Sequence, residues 1–210
     1  MPNAWLIVES VEILKRLKKR SIPREIIAKY EAWKNLVATQ GPHALLGLPG
    51  FRDHALAGEW KGYRASYLSR DWRVIYRTRK DEVFVEVERV SKHDYRRDAA
   101  HMEASQMSSQ QEKTKKVEFV EARQHVRLTV AESLKLMRGF AELSQAELAE
   151  KSGVSQTTIS ALEKGRILLG VRRAERLARA MKVHPAVLLY PNWRADSEEM
   201  EGAELLRAIV

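Results

Sequence analysis

Apolar positions change period twice along this chain, and one polar stretch separates the two regions. Val11, Ile13, Leu14 and Leu17, then Ile26, Ile27, Tyr30, Trp33, Leu36 and Val37, recur every three or four residues, which predicts two amphipathic helices. Pro23 suits the first turn of the second. Ahead of them Trp5 to Val8 reads as a short strand. Beyond a Gly/Pro-rich loop from Gly41 to Gly50 the period shortens to two, and Tyr63 to Leu68, Trp72 to Arg79 and Val83 to Val90 read as strands, the last two joined tightly at Lys80-Asp81. In the middle strand Arg73, Ile75, Arg77 and Arg79 fall on one face, while Trp72, Val74 and Tyr76 fall on the other. Ala99 to Lys116 is rich in Ser, Gln, Glu and Lys and buries too little to offset its ordering entropy, so it reads as a linker. Everything after it is helical: Val130 to Glu142, Ser144 to Lys151, Ser155 to Lys164, Val171 to Met181 and Pro185 to Leu189. The expected architecture is an α+β domain over residues 1–98 (strand, two helices, antiparallel meander), a linker over 99–116, an all-α five-helix domain over 117–193, and an acidic tail over 194–210.

Charge sharpens this division. The 210 residues carry a formal net charge of +9, so an anionic partner is expected. Residues 1–100 hold 20 Lys/Arg against 13 Asp/Glu, and the remainder 17 against 15, so the excess lies in the first half. The chain has no Cys, which excludes disulfides and thiolate metal sites. No apolar run approaches the roughly 20 residues that span a bilayer. The expectation is a soluble, cytoplasmic protein with no membrane, metal or cofactor partner.

The second half carries the most specific pattern. Ser144 with Glu147 forms a capping box that opens a helix, and Gly153 suits the left-handed residue that ends it. Ser155 caps the next helix, which Val154, Ile159 and Leu162 anchor inward. Gln156, Thr157, Thr158 and Ser160 are left outside, with side chains suited to base edges and phosphates in a major groove. Gln145, at the start of the preceding helix, suits a phosphate, while Lys164 and Arg166 suit backbone positioning. The stretch Ser144 to Glu163 resembles the Cro/C1-type (Xre) helix-turn-helix family, over about Val130 to Leu189. That resemblance implies operator DNA as a partner, bound as a homodimer.

The first half offers chemistry for cutting RNA through its 2′-hydroxyl. Such cleavage needs a base, a cation for the developing phosphorane charge and an acid for the leaving oxygen. His54 and His93 titrate near neutrality and suit the proton transfers; Arg73 suits a phosphate clamp. Asp71 can orient an imidazole, and Tyr95 can donate a proton or stack on a base. Lys61, Arg64 and Lys92 suit RNA phosphates. The run Asp53-His-Ala-Leu-Ala-Gly-Glu-Trp-Lys-Gly-Tyr-Arg64, with Ser69 to Tyr76 and Ser91 to Tyr95, resembles the RelE toxin superfamily, its YafQ-like branch most closely. The resemblance implies a ribosome-dependent mRNA endonuclease and places His54, Asp71 and His93 on catalytic positions. Tyr67 stands where that branch has another His, and Arg73 matches a catalytic Arg of other branches.

A toxin-like domain followed by a regulator-like one has the order of HigB–HigA modules. Two readings follow. One is a toxin–antitoxin fusion whose second domain neutralises the first and represses its own operon. The other is a transcriptional regulator whose RelE-like domain is inactive and serves in binding or dimerisation. In the fusion reading two segments compete to cover the basic site. One is Val117, Phe119 and Val120, an apolar edge expected to pack on the meander and favoured because apolar burial outweighs screened surface ion pairs. The other is the acidic tail from Asp196 to Glu204, whose charge is complementary.

Overall fold

Five strands of the first half and one from the second form a single sheet of six. The computed structural model describes residues 5–18, 21–78, 84–92 and 118–193. The strands are β1 (Leu6–Ser10), β2 (His54–Ala55), β3 (Arg64–Tyr67), β4 (Trp72–Thr78), β5 (Phe84–Lys92) and β6 (Phe119–Glu121), in the spatial order β2-β3-β4-β5-β1-β6. The expected meander is β3-β4-β5. The pattern did not reveal three further pairings: β2 folds back antiparallel on β3, β1 runs parallel to β5, and β6 runs antiparallel to β1. Two- and three-residue strands carry too little alternation to be read locally.

Helices α1 (Val11–Lys18) and α2 (Arg24–Gln40) follow the predicted spacing, and Pro23 stands as the N-cap of α2. The apolar stripe of α2 is what fills the core: Tyr30, Trp33, Leu36 and Val37 are buried. Trp33 meets the ring of Tyr76 edge-on at 5.2 Å, joining helix to sheet. The Gly41 to Gly50 loop holds two short 3-10 turns, Pro42–Gly47 and Pro49–Phe51.

The second half forms α3 (Val130–Phe140), α4 (Gln145–Ser152), α5 (Gln156–Glu163), α6 (Val171–Met181) and α7 (Pro185–Leu189). Capping boxes open α3, at Thr129 and Glu132, and α4, at Ser144 and Glu147; the second is the one the sequence predicts. Ser155 caps α5 by accepting from the Thr158 N–H. Gly153 ends α4 at φ 64°, a left-handed turn that glycine takes without a Cβ penalty.

The two halves share one continuous hydrophobic core. Phe51 and Phe140 stack across the junction with ring centroids 3.9 Å apart and planes 17° from parallel. A Cβ on Gly50 would lie 2.8 Å from the Phe140 carbonyl oxygen, so this close backbone approach requires glycine. Asn35 donates to the Val187 carbonyl at 3.1 Å, and the His184 N–H donates to Gln40 Oε1 at 2.7 Å.

A buried polar cluster closes the junction on the other side. Glu9 on β1 is fully enclosed. Its Oε1 accepts from Tyr30 at 2.9 Å and Lys34 at 3.2 Å, and His125 Nε2 lies 3.1 and 3.0 Å from its two oxygens. Glu31 accepts the His125 backbone N–H at 2.8 Å, and Lys34 also donates to the Arg123 carbonyl at 2.6 Å. Burial opposes ionisation of Glu9, but the His125 hydrogen bond and the charges of Lys34 and His125 outweigh it and hold the carboxyl at about 2. Thus Val120 and Phe119 do meet the first half, as strand β6 on β1, at the far edge of the sheet from His54. They extend the sheet instead of packing on the meander. Residue 117 and the acidic tail lie outside the described residues.

Candidate functional site

The β2-β3-β4 edge gathers several of the residues singled out from sequence. His54 pairs with Ala65, and Tyr67, two positions further along β3, pairs with Arg73. Residues opposite one another share a face, and residues two apart share it too, so His54, Tyr67 and Arg73 lie on one side of the sheet. The His54 and Tyr67 ring centroids are 6.0 Å apart. His54 is exposed; Tyr67 and Arg73 are half-buried. Asp71 sits exposed in the β3–β4 turn, where the Ser69 hydroxyl accepts the Asp71 N–H at 3.3 Å and the Trp72 N–H at 3.2 Å. Lys61 is exposed in the turn before β3, and Lys92 ends β5 opposite Trp72. His93 and Tyr95 lie outside the described residues.

Arg64 stands apart from this group. Its Nε donates to Asp53 Oδ1 at 2.6 Å, and its terminal nitrogen forms an ion pair with the same oxygen. Tyr76 donates to Asp53 Oδ2 at 2.8 Å. Burial pushes the Asp53 carboxyl above its ordinary range, against the opposing pull of Tyr76 and Arg64. Burial, with the Asp53 charge, also pushes the Tyr76 hydroxyl well above the ordinary tyrosine range. Arg64 therefore braces this edge, its charge shared with Asp53.

In the second half, Gln156 and Thr157 are exposed on α5, Thr158 and Ser160 half-buried, and Lys164 and Arg166 exposed just beyond. The Ser155 hydroxyl lies 3.0 Å from that of Thr157 and 2.8 Å from that of Thr158, so the three hydroxyls form one cluster at the helix start. Gln145 is engaged inward: its side-chain amide donates to Glu163 Oε2 at 2.8 Å. Sequence reasoning passed over that partner's role. Glu163 also accepts two hydrogen bonds from Arg138, at 2.5 and 2.9 Å, which ties α3 to α5. Arg176 on α6 donates to the Ser152 carbonyl at 2.9 Å and also to that of Gly153, stapling the turn between α4 and α5. Neither pairing has a spacing signal, since the partners lie 25 and 24 residues apart.

A groove of about 990 Å³ runs between the halves. Arg52, Tyr67, Ser69 and Arg70 border it on one side and Lys135, Leu136 and Phe140 on the other. Among the described residues, no cluster of His, Asp and Glu suits a metal ion, and no helix is long and apolar enough to cross a membrane.

The class defined by this architecture is an α+β sheet domain fused to a helix-turn-helix domain. Residues 12–96 match the family described as bacterial toxin of type II toxin-antitoxin system, YafQ, and residues 134–188 match the helix-turn-helix family. The N-terminal region is thus a YafQ-toxin-family domain, and the C-terminal region a helix-turn-helix domain of the Cro/C1 type. Among solved structures, the chain is similar to YafQ from E. coli strain BL21(DE3), with 24% identity, 41% of this chain and 91% of that one covered, and a TM-score of 0.34. A mutant of E. coli YafQ shares 30% identity, with 41% and 91% covered and a TM-score of 0.32. The E. coli DinJ-YafQ toxin-antitoxin complex gives 27%, 41% and 90%, and 0.31. No curated protein matches the chain.

Proposed function

We propose that this chain is a type II toxin–antitoxin fusion: an mRNA-cleaving domain that works on ribosomes, restrained by a helix-turn-helix domain that binds operator DNA as a homodimer and represses its own operon. The observation that carries this reading is the union of a YafQ-family domain and a helix-turn-helix domain in one chain around a shared core. His54 and His93 take the proton transfers, Arg73 and the nearby cations stabilise phosphate charge, and Asp71 supports an imidazole. Tyr67, 6.0 Å from His54, supplies a hydroxyl where the resembled branch has imidazole. Restraint is supported by α3, which walls the groove bordered by Tyr67 and Arg70.

The test is a translation-coupled cleavage assay with the full chain, its Arg73→Ala variant and its His93→Ala variant. Cleavage by the full chain that both substitutions abolish supports the reading. Inactivity on programmed ribosomes that persists when His125→Ala loosens the junction, with operator binding intact, instead supports a regulator whose first domain only binds.

A further inference from the structure

His54 follows two unusual neighbours, Arg52 and Asp53. Arg52 adopts φ 43°, ψ 41°, a left-handed conformation that a non-glycine residue takes at a cost. Its carbonyl lies 2.8 Å from His54 Nδ1. A carbonyl oxygen only accepts, so the contact requires the proton on Nδ1. That leaves the lone pair of the neutral ring on Nε2, at an exposed edge of the sheet. Histidine free in water prefers the opposite arrangement, with its proton on Nε2.

The residue between them is held firmly. Asp53 is bound at one oxygen by Arg64 of β3 and at the other by Tyr76 of β4, and Tyr76 is itself packed edge-on against Trp33 of α2. The Asp53 side chain is 1% exposed, whereas His54 is open to solvent. Alternation along the strand sends these neighbours to opposite sides: Asp53 toward the braced interior, His54 toward the open face.

We propose that Asp53, clamped by Arg64 and Tyr76, is a positioning residue that sustains the left-handed turn at Arg52 and thereby locks His54 in the Nδ1–H tautomer, with Nε2 as the proton acceptor. This rests on the assignment of His54 to proton transfer and adds which nitrogen does the work and what sets it. The step balances: Nε2 takes the 2′-hydroxyl proton, the freed oxygen bonds to phosphorus as the bond from phosphorus to the 5′ oxygen breaks, and the departing oxygen takes a proton from the acid assigned to His93, leaving a 2′,3′-cyclic phosphate. The strain at Arg52 is offset by the two hydrogen bonds and the ion pair on its neighbour.

Nitrogen-15 NMR of the full chain, selectively labelled at histidine, reads the tautomer directly at a pH where the ring is neutral. The expected wild-type signals are a protonated-type Nδ1 and an unprotonated-type Nε2. Asp53→Asn and Tyr76→Phe should both move the ring toward the Nε2–H form and lower cleavage about tenfold or more, as misplacement of a reacting group does. Arg52→Asn, which tolerates the left-handed turn, should keep the wild-type tautomer. An Nε2–H ring in the wild type, or unchanged signals in both clamp variants, overturns the proposal. If the tautomer is as stated but His54→Ala still cleaves, the positioning device stands and the assignment of His54 to proton transfer fails; the reverse pattern sinks the device alone.

Discussion

Two buried carboxylates at opposite ends of the sheet have nearly the same partners and opposite consequences. Glu9 and Asp53 each accept a tyrosine hydroxyl and a basic side chain. Glu9 gains a third partner, His125, from beyond the first domain, and its carboxyl is drawn down to about 2. Asp53 has no partner from the second half among the described residues, and burial carries its carboxyl upward. The difference separates a joint from a support. Around Glu9, groups from β1, α2 and the segment after β6 saturate one another, leaving nothing for a ligand. Around Asp53 the satisfied group lies beneath an exposed imidazole, so the rigidity serves a side chain that still has a free face.

The largest expected effect lies on the Asp53 side. His54→Ala should lower RNA cleavage by about 10²–10⁴-fold, the usual worth of a positioned acid or base, while leaving the thermal midpoint of unfolding nearly unchanged, because His54 is exposed. A stability loss without a rate loss would erase the distinction between the two ends.

On the joint side the effects are on stability. Phe140→Ala should cost about 3–5 kcal/mol in denaturant unfolding, through lost burial and the lost stack on Phe51. Gly50→Ala should cost about 1–3 kcal/mol, since its methyl would meet the Phe140 backbone and not a flexible side chain. His125→Ala removes a hydrogen bond to a charged group and should cost about 1.5–3 kcal/mol.

Acid sharpens the contrast. The folded carboxyl of Glu9 titrates at about 2 against an ordinary value of 4.5, so its stabilisation is complete above 4.5 and fades as the pH falls toward 2. Asp53 is raised above its ordinary 3.8, so its protonation has the opposite sign and favours the folded state as acid is added. Unfolding followed between pH 5 and 2 should therefore show a loss of stability that Glu9→Gln flattens and Asp53→Asn steepens.

The remaining effects belong to the DNA face. Gln156→Ala should cost about 1–3 kcal/mol at a matched operator, and Lys164→Ala should weaken matched and random duplexes alike. Intact discrimination in Gln156→Ala would move base reading away from α5.

Much of the fold was legible because long periodic segments report their own burial. The stripe from Ile26 to Val37 and the Ser144–Glu147 box are local signals, and α2 and α4 formed where they predict. What escaped depends on partners distant in sequence. Phe119 to Glu121 becomes a strand only because β1 offers an open edge, and Phe51 finds Phe140 far along the chain, in the other half. The site was half legible. His54 and Arg73 stand out by chemistry and Tyr67 by the family resemblance alone, and the sheet brings the three to one face. Arg64 stands out by its charge, and charge does not reveal its pairing with Asp53. Asp53 stands beside His54 in the same run, yet its hydrogen bond from Tyr76 has no local signal, because alternation marks Tyr76 only as core.

The proposed restraint of the site rests on the junction between the halves, which holds α3 against the groove bordered by Tyr67 and Arg70. Its most direct test is translation-coupled mRNA cleavage by the full chain, by His125→Ala, which loosens the joint while leaving Asp53 and His54 untouched, and by His125→Ala combined with His54→Ala. The account predicts weak cleavage by the full chain, markedly stronger cleavage by His125→Ala, and none by the double variant. Equal cleavage by the full chain and His125→Ala, with the joint shown to be weakened by unfolding, would contradict it.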